Sequence, residues 1–141
     1  MNKPELDQLA ERVIGLAIEV HRALGPGLLE SIYESALVHE LTAAGLPFER
    51  QKPLPVVYKG TTIGEFRCDL IVADSLLLEL KSVERHDPLF EAQVLTYLKL
   101  SGLTLGLLLN FNSRLLRDGI KRLILTGFLL RVSAAKLHYI D

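Results

Sequence analysis

Cysteine is nearly absent from this chain. The lone Cys68 has no partner for an internal disulfide, and no Cys and His residues stand at zinc-ligand spacing, so neither a disulfide scaffold nor a zinc-stapled fold is expected. An excess of charge of one sign is also missing: 16 Lys and Arg against 17 Asp and Glu leave a formal net charge of −1. That balance argues against a nonspecific nucleic-acid coat, and any such surface must be a local patch. No apolar run approaches the length needed to cross a bilayer, and Met1-Asn2-Lys3-Pro4-Glu5 leads into an amphipathic segment rather than the apolar core of a signal peptide. A cytoplasmic protein without a membrane partner is expected. Internal repeats, low-complexity linkers and a phosphate-cradling glycine loop are lacking too; Gly25 and Gly27 need only be turn residues.

What is present is enough apolar residue, 49% of 141, to bury the core of one compact domain over 1–141. Leu9, Val13, Leu16, Ala17, Val20 and Leu24 recur at helical spacing, widened by Ile14 and Ile18, and predict a helix from about Pro4 to Leu24 ended by Gly25-Pro26-Gly27. A second helix is predicted from about Gly27 to Ala44, stopped by Gly45 and Pro47. The period then becomes strand-like over Leu54–Tyr58, about Ile63–Val72 and Leu76–Val83, with Tyr58-Lys59-Gly60-Thr61 as a turn. Asp87-Pro88 opens a helix through about Leu100, and Thr104–Phe111 is a further strand. Arg114 to Arg122 is basic, and Leu123-Ile124-Leu125 with Phe128-Leu129-Leu130 forms a last apolar stretch, read as strand; the tail from Ser133 has no assignment. The order is α-α-β-β-β-α-β with a C-terminal addition.

Within this pattern Leu76-Leu77-Leu78-Glu79-Leu80-Lys81 sets a carboxylate and an ammonium in a leucine strand, where an unpaired charge costs several kcal/mol or neutralises itself. Asp69 sits ten residues upstream in another apolar run, giving D-x9-E-x-K. If Val72 opposes Leu76 across a three-residue loop, Ala73-Asp74-Ser75, then Asp69 opposes Glu79 in an antiparallel hairpin. A two-residue loop would send Glu79 to the other face. With the odd loop, Arg67, Asp69, Glu79 and Lys81 share one face, while Phe66, Cys68, Leu70, Leu78 and Leu80 pack on the other. Neighbouring carboxylates repel unless a cation lies between them, and an oxygen-only set with open positions suits Mg2+ or Mn2+. Such an ion acidifies water and offsets phosphoryl charge, with a lysine nearby to orient the water or hold developing charge. The other reading of the triplet is a structural ion pair on a half-exposed sheet.

Gln93 and Tyr97 stand at i and i+4 on one helix face, and Glu30 and Tyr33 at i and i+3 on another, so each pair can reach toward the sheet. Glu30 is a candidate third carboxylate, although an acid in the first turn of a helix is favoured by the dipole regardless of chemistry. His21 either lines the site or caps its helix, and Asn110 and Asn112 either line the cleft or cap the turn before Arg114. Arg50, Lys52, Lys59, Lys99, Arg114, Arg117, Lys121 and Arg122 are phosphate contacts or ordinary surface. Cys68 is read as a small core residue, facing away from Asp69.

Taken in order, these features resemble the PD-(D/E)XK nuclease superfamily, specifically the small bacterial and archaeal proteins named for a GxxExxY motif, here Gly27, Glu30 and Tyr33. The likeness runs from about Ile14 to Ile124 and includes Glu19-Val20-His21, Phe66-Arg67-Cys68-Asp69-Leu70, Glu79-Leu80-Lys81-Ser82-Val83-Glu84, Gln93-Val94-Leu95-Thr96-Tyr97 and Asn110-Phe111-Asn112. Cys68 stands where the superfamily's name has proline. The resemblance implies a restriction-endonuclease-like α/β core, α-β-β-β-α-β with a mixed sheet, carrying an extra N-terminal helix and C-terminal strand. It also implies Asp69, Glu79 and the Leu80 carbonyl as metal ligands, with Glu30 as a further carboxylate, and Lys81 as the catalytic lysine. Gln93 and Tyr97 resemble the Q-x3-Y element of RecB-type nucleases, which helps organise the site and the nucleic-acid strand.

The expectation is a Mg2+- or Mn2+-dependent nuclease acting on DNA before RNA. Its alternative is a module that keeps the fold for nucleic-acid binding or protein interaction without turnover. A weaker third reading is a hydrolase of small phosphorylated molecules, which would show a closed pocket. The apolar stretch from Leu123 to Leu130 is expected to be covered by a sheet partner or a homodimer contact.

Overall fold

The computed structural model describes residues 1–125; Phe128-Leu129-Leu130 and the tail from Ser133 lie outside the described residues. Helix α1 (Lys3–Leu24) is capped by Asn2, whose side chain accepts the Glu5 N–H at 2.9 Å. It buries Leu9, Ala10, Val13, Ile14, Ala17 and Val20, while Leu24 ends the stripe in solvent. Gly25, at φ 71, stops it and returns its N–H to the His21 carbonyl at 2.8 Å. Helix α2 (Glu30–Ala43) starts three residues later than the expected Gly27. Gly27 is at φ 92, and the residues between it and Glu30 belong to the turn, leaving Leu29 exposed.

Strand β1 (Phe48–Tyr58) begins six residues before the expected Leu54, because its polar start, Glu49 to Lys52, is held by pairing to β2 (Thr61–Val72) rather than by apolar alternation. Lys59 and Gly60 turn between them at φ 48 and 80, the paired positive angles of a two-residue hairpin. Strand β3 (Leu76–Lys81) pairs antiparallel with β2 through Leu70↔Leu78, Ile71↔Leu77 and Val72↔Leu76. This is the expected register, with Ala73-Asp74-Ser75 as the loop.

Helix α3 (Pro88–Ser101) is capped by the Asp87 carboxylate, which accepts the Leu89 N–H at 2.9 Å, and ends at Gly102 in the left-handed region. It carries the chain across to β4 (Leu105–Asn110), parallel to β3. At Gly106 a methyl group would stand 2.8 Å from Val94 Cγ1, so α3 lies directly on the β4 backbone. The basic segment after β4 holds a short 3-10 turn, Leu116–Gly119, and then the antiparallel edge strand β5 (Ile120–Ile124), which starts inside the region expected to be basic surface. Pairing to β4 rather than apolar content makes it a strand. The result is a mixed sheet in the order β1-β2-β3-β4-β5, with α1 and α2 on one face and α3 on the other. This is the expected α/β core with its extra N-terminal helix and C-terminal strand. Among the described residues no helix is long and apolar enough to cross a membrane.

The side-chain alternation of β2 departs from expectation. Leu70, Leu78 and Leu80 pack with α1 and α2, but Cys68 packs with α3, and Phe66 lies against Tyr97 of α3 with ring centroids 5.6 Å apart. Regular alternation would put Cys68 and Leu70 on one face. The break falls at Asp69, opposite Gln51, whose φ of 53 takes it out of the pairing while Arg50↔Leu70 and Lys52↔Cys68 are kept. Arg67 accordingly leaves the face of Glu79 and Lys81 and pairs with Glu65 at 3.5 Å.

Candidate functional site

Backbone pairing between β2 and β3 ends at Leu70↔Leu78, and beyond it two carboxylates take over the hydrogen bonds. The Asp69 N–H donates to Glu79 Oε1 at 2.9 Å, and the Leu80 N–H donates to Asp69 Oδ2 at 2.8 Å. The strands part here, and the slot between them holds Asp69 and Glu79 side by side. One strand residue presents its N–H and C=O to the same edge. The Leu80 carbonyl therefore faces this slot too, while the Lys81 carbonyl turns the other way and accepts the Phe111 N–H of the β4 edge at 2.8 Å.

Glu79 is only 5% exposed, and burial with Asp69 beside it pushes its carboxyl from 4.5 up to about 8. Asp69 is raised as well, chiefly by burial, with Glu34 and Glu30 adding repulsion and the Leu80 N–H opposing it. Lys81 forms no ion pair with either carboxylate; its ammonium stands over the Phe90 ring, 4.6 Å from the centroid. The structural ion pair read as the alternative for the triplet is thus not what the strand contains.

The remaining expected residues approach from both layers. Glu30, exposed in the first turn of α2, raises both Asp69 and Glu79 through its charge. Burial and these same carboxylates push Tyr97 of α3 up to about 12, with the Gln93 side chain next to it opposing the shift. Glu30 and Tyr97 thus lie within electrostatic reach of Asp69 and Glu79, with Gln93 beside Tyr97, while Lys81 is seated on Phe90. Among the described residues no three His, Cys, Asp or Glu side chains converge as a metal cage. The oxygens that could meet an ion here are those of two carboxylates and a carbonyl, each carboxylate keeping an oxygen not used by the backbone N–H groups. Oxygen donors with excess negative charge fit a hard divalent ion that keeps part of its water.

Tyr33 plays a different part from its motif neighbour Glu30. Fully buried, it donates its hydroxyl proton to the Gly25 carbonyl at 2.5 Å, accepts the Leu28 N–H at 3.1 Å, and stacks on Phe111 with centroids 4.5 Å apart. It fixes the turn from which α2 launches Glu30, and Ser82 ties that turn to the end of β3 by donating to the Leu28 carbonyl at 2.5 Å. His21 does not reach the slot; its Nε2 lies 2.8 Å from the Ser113 carbonyl and holds the loop after β4. Asn110 caps the turn through Asn112 and also clamps Val83 by both its N–H, at 3.1 Å, and its carbonyl, at 3.0 Å. Cys68 is a core residue, as expected.

Among the basic candidates Arg50, Lys52 and Arg122 are taken by Glu34, Glu49 and Glu11 at 2.7, 2.6 and 3.7 Å. An open cleft of about 210 Å³ adjoins Lys81 and is lined by Glu84, His86, Phe90, Asn110 and Lys121 among others.

Sequence reasoning missed two residues beside the slot. Glu34, one turn after Glu30, is buried at 8% exposure, and Gln51 bridges it to Asp69. Glu34 carried a signal, a carboxylate at i+4 from Glu30; Gln51 lay before the expected strand start at Leu54 and looked like any polar connecting residue.

A family model described as the PD-(D/E)XK nuclease superfamily matches residues 7–123. No curated protein and no solved structure matches the chain.

Proposed function

The chain belongs to the PD-(D/E)XK nuclease superfamily, and on that premise we propose that it is a Mg2+- or Mn2+-dependent nuclease hydrolysing phosphodiester bonds in DNA, or secondarily RNA. The observation that carries this reading is the slot between β2 and β3, where a half-buried Asp69 and a buried Glu79 meet without forming an ion pair to any side chain among the described residues. We also assign the chain to the GxxExxY branch, on Gly27, Glu30 and Tyr33, and treat residues 1–141 as one nuclease domain.

Asp69, Glu79 and the Leu80 carbonyl would hold the ion, with Glu30 as a further carboxylate. A divalent ion bound there supplies activation of the attacking water and offsets charge on the phosphoryl oxygen. Lys81 is set on the same face of β3 as Glu79, so its ammonium can leave the Phe90 ring for a phosphate oxygen and steady the charge that develops there. Tyr97, with Gln93 beside it, would help organise the slot from the α3 side. The lysine and both carboxylates of the triplet are intact, which favours turnover over a module that only binds. Cytoplasmic location is part of the same proposal.

The test is cleavage of single- and double-stranded DNA and of RNA with Mn2+. Lys81→Ala should lose at least about a hundredfold in rate while binding substrate and melting as wild type does. Undiminished cleavage by Lys81→Ala would remove the lysine from the mechanism. No cleavage by wild type of any nucleic acid, with binding that weakens as salt rises, would favour the non-catalytic module.

A further inference from the structure

Gln51 is the one residue of β1 inside the β1–β2 ladder that takes a left-handed backbone, at φ 53, and it is flanked by regular pairs at Arg50↔Leu70 and Lys52↔Cys68. A side chain without special tolerance for that region holds it only when its surroundings compensate. The compensation is visible. Gln51 Nε2 donates to Glu34 Oε1 at 2.6 Å and to Asp69 Oδ1 at 3.3 Å, so one amide nitrogen lies between two carboxylates. Glu34 is fixed in turn by Arg50, whose Nε donates to Glu34 Oε2 at 2.7 Å while its Nη2 donates to Ser35 Oγ at 2.8 Å. A plain strand residue at 51 would direct its side chain by alternation and leave no donor between Asp69 and Glu34.

We propose that Gln51 is a positioning residue for Asp69, held in a strained conformation so that its amide separates Asp69 from Glu34 and fixes the Asp69 carboxylate across the β2–β3 slot. This rests on the proposed role of Asp69 as a metal ligand. With Oδ2 taken by the Leu80 N–H and Oδ1 steered by Gln51, the carboxylate has one orientation before any ion arrives. Without Gln51 it can turn about its side-chain bonds, and that single orientation is lost.

Residues tolerant of a left-handed backbone separate positioning from folding. Gln51→Gly and Gln51→Asn both accept φ 53, and neither spans the two carboxylates. Calorimetric titration of Mn2+ into the full-length chain should show a dissociation constant at least about tenfold weaker in both variants. Their metal-free melting temperatures should not fall, because strain is relieved as the bridge is lost. Wild-type Mn2+ affinity in both variants would overturn the proposal, and so would weaker binding accompanied in both by an equal loss of metal-free stability. Asp69→Asn in the same series tells the two readings apart. If it binds Mn2+ as wild type does, the metal-site reading fails and the Gln51 proposal with it. If only Asp69→Asn weakens binding, the metal site stands and Gln51 alone is wrongly assigned.

Discussion

Glu79 accepts a hydrogen bond from the backbone N–H of Asp69 at 2.9 Å, so the two acids of the slot are joined through the main chain of one of them. Asp69 returns the relation by accepting the N–H of Leu80, the residue after Glu79. Each carboxylate is thus held by the strand that carries the other, and a shift of either strand would move both. Strand pairing has been exchanged for a pair of oriented acids, and the cost is electrostatic.

That cost sets a pH dependence. In the metal-free protein the Glu79 carboxyl is raised from 4.5 to about 8, so the folded state holds a proton that the unfolded chain releases. Stability from this group is fully present below the ordinary carboxyl range, falls as pH rises, and is lost through about pH 8. The amplitude is on the order of a few kcal/mol. Urea melts of wild type and Glu79→Gln across this range should show the slope in the first and a much flatter profile in the second. Equal slopes would mean that Glu79 is not the group responsible.

Cys68 reports on the same burial from the α3 side. Its thiol is pushed up to about 12, first by desolvation and then by Glu79. A disulfide reagent in mildly alkaline buffer should leave the folded protein unmodified and react with one equivalent per chain only on denaturation. Rapid labelling of the folded protein would place Cys68 nearer to solvent than the core packing allows.

Tyr33→Phe keeps the ring on Phe111 but removes the hydroxyl that serves both the Gly25 carbonyl and the Leu28 N–H. A destabilisation of about 1–3 kcal/mol is expected from leaving these groups unsatisfied. Because the turn launches Glu30, cleavage should fall as well, and the two losses are separated by comparing denaturant melts with Glu30→Gln, which should lower activity without the stability change.

Phe90→Leu takes the ring from beneath the Lys81 ammonium. A cation–ring contact at a partly exposed site is worth roughly 0.5–1 kcal/mol and is given up when the ammonium moves to the phosphate, so the cleavage rate should stay level or rise by at most about fivefold, with little change in melting temperature. A loss as large as that of Lys81→Ala would show that Phe90 does more than seat the lysine.

Much of the fold was legible before the structure because the signals were local. Asp87-Pro88 and Gly102 bound α3, and the loop Ala73-Asp74-Ser75 set the register that brings Asp69 opposite Glu79. The starts of β1 and β5 were not legible, since Glu49 to Lys52 and Lys121-Arg122 are strand only through their partners across the sheet. The face of Cys68 was misread for a related reason: alternation was assumed through Asp69, whereas Gln51 on the adjacent strand breaks it. Nothing in a single strand's pattern announces a left-handed residue on its neighbour. Glu34 was missed although it is one turn from Glu30, because a buried acid and a surface acid look alike in a helical repeat.

The central claim is that the β2–β3 slot binds a divalent ion through Asp69 and Glu79, and calorimetric titration of Mn2+ into wild type and Asp69→Ala tests it most directly. The account predicts saturable binding by wild type, tighter as pH rises and Glu79 gives up its proton, and loss of that binding in a folded Asp69→Ala protein. Wild-type affinity retained by Asp69→Ala would contradict it.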